Sequence, residues 1–131
     1  MSPRRLLLLA AAALSVACSK PEPDHPIQRV EMSVVTTPPI AATVPAVVRP
    51  GDTTSSVQLT SGIAVAIKME VFQDAVAVAA RVSESDRTVF QILPREGGYV
   101  LVGGTPGTAR VIITADKAAA PMSITVTVKD Q

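Results

Sequence analysis

The sequence is poor in the residues that most often carry catalysis or metal binding. Its 131 residues include one cysteine, one histidine, one tyrosine and no tryptophan, and aromatic residues make up 2% of the chain. A single cysteine has no partner for a disulfide within the chain, and one cysteine with one histidine gives too few ligands for a tetrahedral zinc site. So few aromatic residues also exclude a stacking platform for nucleic acid. The sequence therefore predicts neither a metal site nor a cofactor site.

A surplus of one charge is also lacking. The chain has 12 lysine and arginine residues against 11 aspartate and glutamate residues, for a formal net charge of +1. Two of the basic residues, Arg4 and Arg5, lie at the very beginning, and without them ten basic residues face eleven acidic ones. Because nucleic-acid binding depends on clustered basic residues, nucleic acid is not a predicted partner.

The one histidine, His25, lies between Asp24 and Pro26 in a polar, proline-rich stretch. Such a stretch stays extended, so we predict that residues 18–26 form a tether and that His25 is a solvated linker residue. A catalytic histidine has to be held rigidly beside a nucleophile, which a tether does not provide. No enzyme is predicted, and a hydrolase with an unrecognised site is the alternative.

Two loops have compositions that resemble ligand sites. The segment Ser83–Asp86 offers only two carboxylates, with Arg87 beside them, whereas calcium takes six to eight oxygen ligands. The glycine-rich segment Gly103–Gly107 lacks the lysine of a phosphate loop and precedes a strand pattern, so no helix N-terminus follows it. Both segments are predicted to be turns.

The N-terminus has the layout of an export signal. Arg4 and Arg5 precede an apolar run from Leu6 to Leu14, and small or weakly polar residues continue to Ala17. The run is too short to be a permanent anchor, because a helix that spans a bilayer needs about 20 apolar residues. We predict that residues 1–17 are a signal peptide that is removed after export.

The only cysteine, Cys18, follows this segment directly. The run from Leu14 to Cys18 resembles the bacterial lipobox, in which a small residue precedes a cysteine that becomes lipidated and begins the mature protein. Ser15 departs from the leucine that is commoner three residues before the cysteine. The resemblance implies lipidation of Cys18 with several acyl chains of the palmitate type, and several chains make membrane attachment effectively permanent. Ser19, in place of aspartate, implies sorting to the outer membrane if the host is diderm.

After the tether, apolar residues alternate with polar ones at a period of two, which is typical of half-buried strands. The predicted strands are Val30–Val34, a proline-interrupted edge run Ala42–Val48, Val57–Leu59, Ile63–Val71, Ala75–Val82, Val89–Leu93, Tyr99–Val102, Ala109–Ala115 and Met122–Val128. The segment Ala75–Val82 also fits a helix capped by Asp74, but its β-branched residues favour a strand.

Proline and glycine mark turns between these strands, at Pro50-Gly51 and Pro94–Gly98 among others. The open sheet edges are predicted at Ala42–Val48 and at the last strand, which we favour as a contact site. Seven to nine short strands at regular spacing predict an all-β fold for residues 27–131, an antiparallel β-sandwich.

The second half of the domain resembles the bacterial Ig-like domains of the BIG2 group. The resemblance rests on Ser85-Asp86 before a strand, Gly97-Gly98 in a hairpin, the segment Gly104–Val111, and the closing strand Ser123–Val128. It implies an Ig-like β-sandwich, and it implies no activity. The tryptophan that is frequent before the serine-aspartate pair is missing here.

Two further families have similar patterns. The N-terminal domain of secretin-type pilus and secretion proteins also combines an early proline-glycine turn with a later glycine-threonine strand start, but the secretin ring domain is lacking. Chagasin-like protease inhibitors have signature loops without a counterpart, since Arg49-Pro50 is followed by Gly51.

These observations predict a membrane-anchored envelope lipoprotein whose Ig-like domain acts as a non-enzymatic binding or structural module for another envelope protein. The alternative is an accessory subunit of a pilus or secretin-type secretion assembly.

Overall fold

The computed structural model describes residues 24–35 and 42–131. These residues form ten strands and no helix: β1 Arg29–Val34, β2 Val47–Val48, β3 Ser56–Thr60, β4 Ala64–Gln73, β5 Val76–Val78, β6 Ala80–Glu84, β7 Phe90–Arg95, β8 Gly98–Gly103, β9 Gly107–Ala115 and β10 Met122–Lys129. Cys18 and Ser19 lie outside the described residues, as do the signal peptide and most of the predicted tether. Nothing in the described part of the chain is a helix long and apolar enough to cross a bilayer.

The strands form two sheets. One has the order β2-β1-β4-β8-β7, with β5 also paired to β4, and the other has the order β3-β10-β9-β6. This is an Ig-like arrangement, because β1-β4-β8-β7 corresponds to the sheet A-B-E-D and β10-β9-β6 to the sheet G-F-C. The predicted Ig-like β-sandwich is confirmed. Every strand pair is antiparallel except β3 with β10, which run parallel.

The core lies between the sheets and is built by the alternation that the sequence displays. In β10 the residues at every second position are buried, from Met122 to Val128, and β9 repeats this pattern. The largest fully buried side chains come from both sheets: Phe90, Leu59, Ile67, Leu101, Ile113 and Ile124. Burying one such side chain contributes about 1.5–3 kcal/mol. The packing of the two inner faces therefore holds the sheets together.

The ambiguous segment Ala75–Val82 is extended from Val76 onward, as favoured from its β-branched residues, and Ala75 belongs to the preceding turn. It forms two strands and not one, because β5 pairs with β4 in the first sheet whereas β6 pairs with β9 in the second. Ala79 lies between them, where the chain changes sheets. Because this segment forms two strands, the described residues contain ten strands where the sequence predicts seven to nine.

The prediction that the last strand is an open edge is wrong. β10 lies inside its sheet, with β9 on one side and β3 on the other. The run Ala42–Val48 lies at sheet edges, as predicted, and it pairs with one strand of each sheet. Thr43 pairs with Gln58 of β3, and Val47 and Val48 pair with β1. Pro45 separates the two pieces.

The turns lie at or close to the proline and glycine residues that predict them. In the turn at residues 49–52, Asp52 N donates to Arg49 O at 3.1 Å, and the central residue Gly51 has φ 82°. The hairpin predicted over Pro94–Gly98 is tighter than expected, since Arg95 pairs with Gly98 and leaves two residues in the loop. Gly98 also packs closely on the neighbouring strand, because a Cβ there would lie 2.2 Å from the carbonyl oxygen of Ile67.

Candidate functional site

Strand β7 is one edge of the first sheet, and it has no free outward N–H group for another strand. Three residues of β7 direct their backbone hydrogen-bonding groups away from β8. Phe90 N donates to Asp86 O at 3.3 Å, and Ile92 N donates to the Glu84 carboxylate at 2.9 Å. The third position is Pro94, which has no N–H to donate. Occupied N–H groups and an outward proline prevent strand pairing at a sheet edge. β7 therefore has no free N–H donor for a partner strand at these positions.

The edge of the second sheet at β6 is open. Ser85 N donates to Arg110 O at 2.9 Å, which fixes the phase of the pairing between β6 and β9. Because hydrogen-bonded pairs alternate along an antiparallel ladder, Ser83 also faces β9, whereas Ala80 and Val82 direct their N–H and C=O groups to the other side. Within residues 24–35 and 42–131, no strand pairs with that side.

A gap in the first sheet lies near this open edge. Ile67 pairs with Val34 of β1 and with Tyr99 of β8, so β1 and β8 lie on opposite sides of β4. Val71 pairs in the same way with β1 and β5. β8 and β5 therefore lie on the same side of β4, and residues 68–70 between them have no strand on that side in the described chain.

The gap and the open edge border one groove, which leads into the space between the sheets. We call it the β6 groove; its volume is about 620 Å³. The groove is mainly apolar, with one cationic side chain at its rim. Its principal lining residues are Met69, Val71, Val78, Ala80, Val82, Pro94, Arg95 and Tyr99. Most of these side chains are only half-buried, so part of the inter-sheet core is accessible from this side.

A second, smaller cavity of about 410 Å³ adjoins the groove and shares Val78 and Ala79 with it. His25 lies in its wall, with Nδ1 2.5 Å from the Asp74 carboxylate. The buried Gln73 side chain donates to the carbonyl oxygen of His25 at 2.6 Å and to that of Asp116 at 2.7 Å. The N-terminal segment is thus part of the folded domain, and the prediction of a solvated linker histidine is wrong.

The contact between His25 and Asp74 resembles two members of a catalytic triad, but the third is lacking. The cavity wall formed by described residues has no serine, threonine or cysteine. The contact has a structural explanation, because Asp74 begins the turn between β4 and β5, and Asp74 and Ala75 have positive φ angles of 49° and 63°. Ala75 N is held by the Gln28 side chain at 2.7 Å. Both bonds fix the N-terminal segment on this turn.

The acidic segment Ser83–Asp86 is a turn only in part, because Ser83 and Glu84 belong to β6 and the hydrogen-bonded turn follows them. Asp86 accepts from the hydroxyl of Thr88 at 2.7 Å and from its backbone N–H at 2.9 Å, and these bonds, the hydroxyl first, lower the pKa of Asp86. Glu84 is occupied by Ile92 N and by Arg87. No group of three histidine, cysteine, aspartate or glutamate residues is placed to hold a metal ion in the described parts of the chain.

The glycine-rich segment Gly103–Gly107 forms a turn, as predicted. Gly104 N donates to Val89 O at 2.7 Å, and Thr105 N donates to Thr88 O at 2.8 Å. These bonds tie the segment to the loop before β7. Its backbone N–H groups are therefore occupied by the protein.

Residues 24–35 and 42–131 form an Ig-like β-sandwich in which no described strand pairs with the outer side of β6. No family model matches the sequence, and no curated protein matches it. Among solved structures it is similar to domains 4 and 5 of the S-layer protein SbsC, with 10% identity and a TM-score of 0.45. The match covers 82% of this chain and 54% of the other, so the chain spans about half the length of that structure.

Proposed function

We propose that this chain is a lipid-anchored, non-enzymatic module of the cell envelope, which binds another protein through the open side of its sandwich. The supporting observation is the β6 groove of about 620 Å³, in which half-buried apolar side chains lie beside an unpaired strand edge. An unpaired strand edge is a place where another chain adds by backbone hydrogen bonds, and neighbouring apolar side chains contact alternate residues of that chain.

The anchor in this proposal is lipid on Cys18, supported by the lipobox-like run before it. Six residue steps separate Cys18 from Asp24. An extended chain of that length reaches about 20 Å. Asp24 accepts from Ala119 N at 2.7 Å, and His25 N donates to Lys117 O at 2.8 Å. The end of the domain that carries these contacts would therefore face the membrane, the outer membrane in a diderm host.

The binding proposal is tested by photocrosslinking in intact envelopes. Tyr99, in the groove, is replaced by a photoreactive phenylalanine analogue, and Ser123, exposed on the outer face of β10, receives the same analogue as a control. We expect one discrete crosslinked envelope protein from position 99 and none from position 123. Absence of a discrete product at position 99, or the same products at both positions, would contradict binding at this side.

A further inference from the structure

We infer that the partner binds as an added β-strand alongside β6, and that the added segment alternates apolar with polar residues and carries a carboxylate. This inference rests on the proposed binding function and specifies how the partner is held. Strand addition takes its affinity from backbone hydrogen bonds and its selectivity from alternate side chains.

The backbone of β6 provides the hydrogen bonds. Ala80 and Val82 each direct one N–H and one C=O to the open side, since Ser83 and Ser85 face β9. A strand laid along this side can pair with all four groups. The other sheet edges offer less, because β7 is blocked at all three outward positions and Thr43 covers β3. β2 is only two residues long.

The groove provides the selectivity. Every second side chain of a strand beside β6 would point between the sheets, toward Met69, Val71 and Tyr99. Those positions favour apolar residues, because an unpaired polar group buried there would lose its hydrogen bonds to water. The intervening side chains would face solvent and favour polar residues.

The charge at the rim indicates the carboxylate. Arg95 lines the groove, and Arg81 lies in β6 with its side chain exposed. Neither forms an ion pair with any described residue, and among the unpaired basic side chains these two are the ones that line the groove or lie on β6. An acidic residue in the added segment would pair with one of these two arginines.

A second copy of this chain supplies no free carboxylate at this edge. By the same alternation Glu84 also faces outward, so two β6 strands paired antiparallel over their full length are centred on Val82 and place Glu84 opposite Ala80. The Glu84 carboxylate already accepts from Ile92 N and pairs with Arg87. This favours a different protein as the occupant.

Amide hydrogen exchange tests the strand geometry. The probe is a soluble heptapeptide that alternates valine with threonine and ends in glutamate, added to the ¹⁵N-labelled full chain in detergent micelles. We expect the amides of Ala80 and Val82 to exchange at least about tenfold more slowly with the peptide, because each becomes hydrogen-bonded. The amide of Ser83 already faces β9 and serves as the internal control. A peptide N-methylated at alternate residues should give no protection, and a terminal lysine should weaken it.

A pair of proline variants extends the test to the natural partner. Val82→Pro removes an outward N–H from β6, and Val47→Pro places the same ring at an outward position of β2. We expect Val82→Pro to lose the partner crosslinked from position 99 and Val47→Pro to keep it. If Val82→Pro fails to fold by circular dichroism, the exchange measurement on the unmodified chain decides.

The outcomes separate this inference from the proposed function. One outcome is a crosslink at the groove while the exchange of Ala80 and Val82 stays unchanged, both in the crosslinked complex and with the peptide. This outcome would overturn strand addition and leave the binding function standing. No crosslink at the groove would overturn the binding function itself. Slow exchange at both amides that depends on protein concentration, with dimers in sedimentation, would identify the occupant as a second copy and overturn the assignment to a different protein.

Discussion

His25 Nδ1 lies 2.5 Å from Asp74 Oδ2, which joins the N-terminal segment to the turn between β4 and β5. Both side chains are partly exposed, so this hydrogen bond alone contributes only up to about 1 kcal/mol. Nearby backbone contacts add to it, since the N-terminal segment also bonds to Lys117, Gln73 and Ala119. Residues 24 and 25 are thereby fixed against the rest of the domain.

The first prediction concerns Gln73, which is 6% exposed and bonds two carbonyl groups from separate segments. Gln73→Ala should lower the free energy of unfolding by about 1–3 kcal/mol, because the carbonyls of His25 and Asp116 lose their donor. Urea denaturation measures the change. Gln28→Ala removes a comparable bond at an exposed site and should cost less; an equal cost in the two variants would show that burial is not the reason.

The second prediction concerns the turn at Asp74 and Ala75, whose two positive φ angles define a type I′ hairpin turn. An L-residue with a side chain is strained there by about 1–2 kcal/mol, whereas glycine is not. Ala75→Gly should therefore raise the melting temperature, although glycine loses more chain entropy on folding. Ala77→Gly, within β5, is the matched control and should lower it. A lower melting temperature in both variants would contradict the strained turn.

The third prediction concerns Asp52, whose pKa is held below its ordinary value of 3.8 by hydrogen bonds from Ser55, and then from Thr54. A lowered pKa in the folded state gives stability that is complete above the unfolded pKa and is lost as the pH falls through the folded pKa. The difference in stability between the wild type and Asp52→Ala should be constant from neutral pH to about 4 and shrink below it. Denaturation at a series of pH values measures this difference. A difference that stays constant into strong acid would contradict the explanation.

The fourth prediction concerns Thr125, which pairs with Ser56 on one side and with Arg110 on the other. Thr125→Pro should destabilise the domain by at least about 2 kcal/mol, since proline removes a donor from an internal strand. Val47→Pro, on an edge, should cost less. Near-ultraviolet circular dichroism and thermal melts compare the two, and a stable Thr125→Pro variant would argue against an internal β10.

The fifth prediction concerns Cys18, which we propose as the lipidation site. Cys18→Ser should abolish incorporation of labelled fatty acid and leave uncleaved precursor, because serine lacks the thiol that forms the thioether. Metabolic labelling followed by immunoprecipitation measures both effects. Normal maturation of the variant, together with an unlabelled wild type, would show that the chain is not a lipoprotein.

Strand positions could be predicted from the sequence because burial on one face imposes a period of two. The alternation in Met122–Val128 and Ile63–Val71 predicts β10 and most of β4, and the glycine and proline residues between the strands predict most turns. The alternation does not distinguish an internal strand from an edge strand, since both bury one face. For this reason the prediction that the last strand is an open edge is wrong.

The β6 groove could not be predicted from the sequence because its walls come from separate parts of the chain. Met69, Val82 and Tyr99 each read as an ordinary inward-facing residue of a strand, and nothing local shows that their strands leave a gap. One local signal of an open edge is that the outward positions Ala80 and Val82 of β6 hold neither proline nor an acidic residue. The outward position Pro94 of β7, by contrast, holds a proline. His25 shows the same limit, since a polar, proline-rich stretch gives no sign of the contacts with Gln73 and Asp74.

By itself, the sequence determined the all-β class and the position of most strands and turns. These properties depend on residue types and short-range periodicity, which are local. Only the tertiary structure decided which edges are paired, that the segment at His25 belongs to the domain, and that the sandwich is open beside β6. Those features depend on backbone groups that every residue shares and on contacts between residues far apart in the chain, so the sequence pattern does not encode them locally.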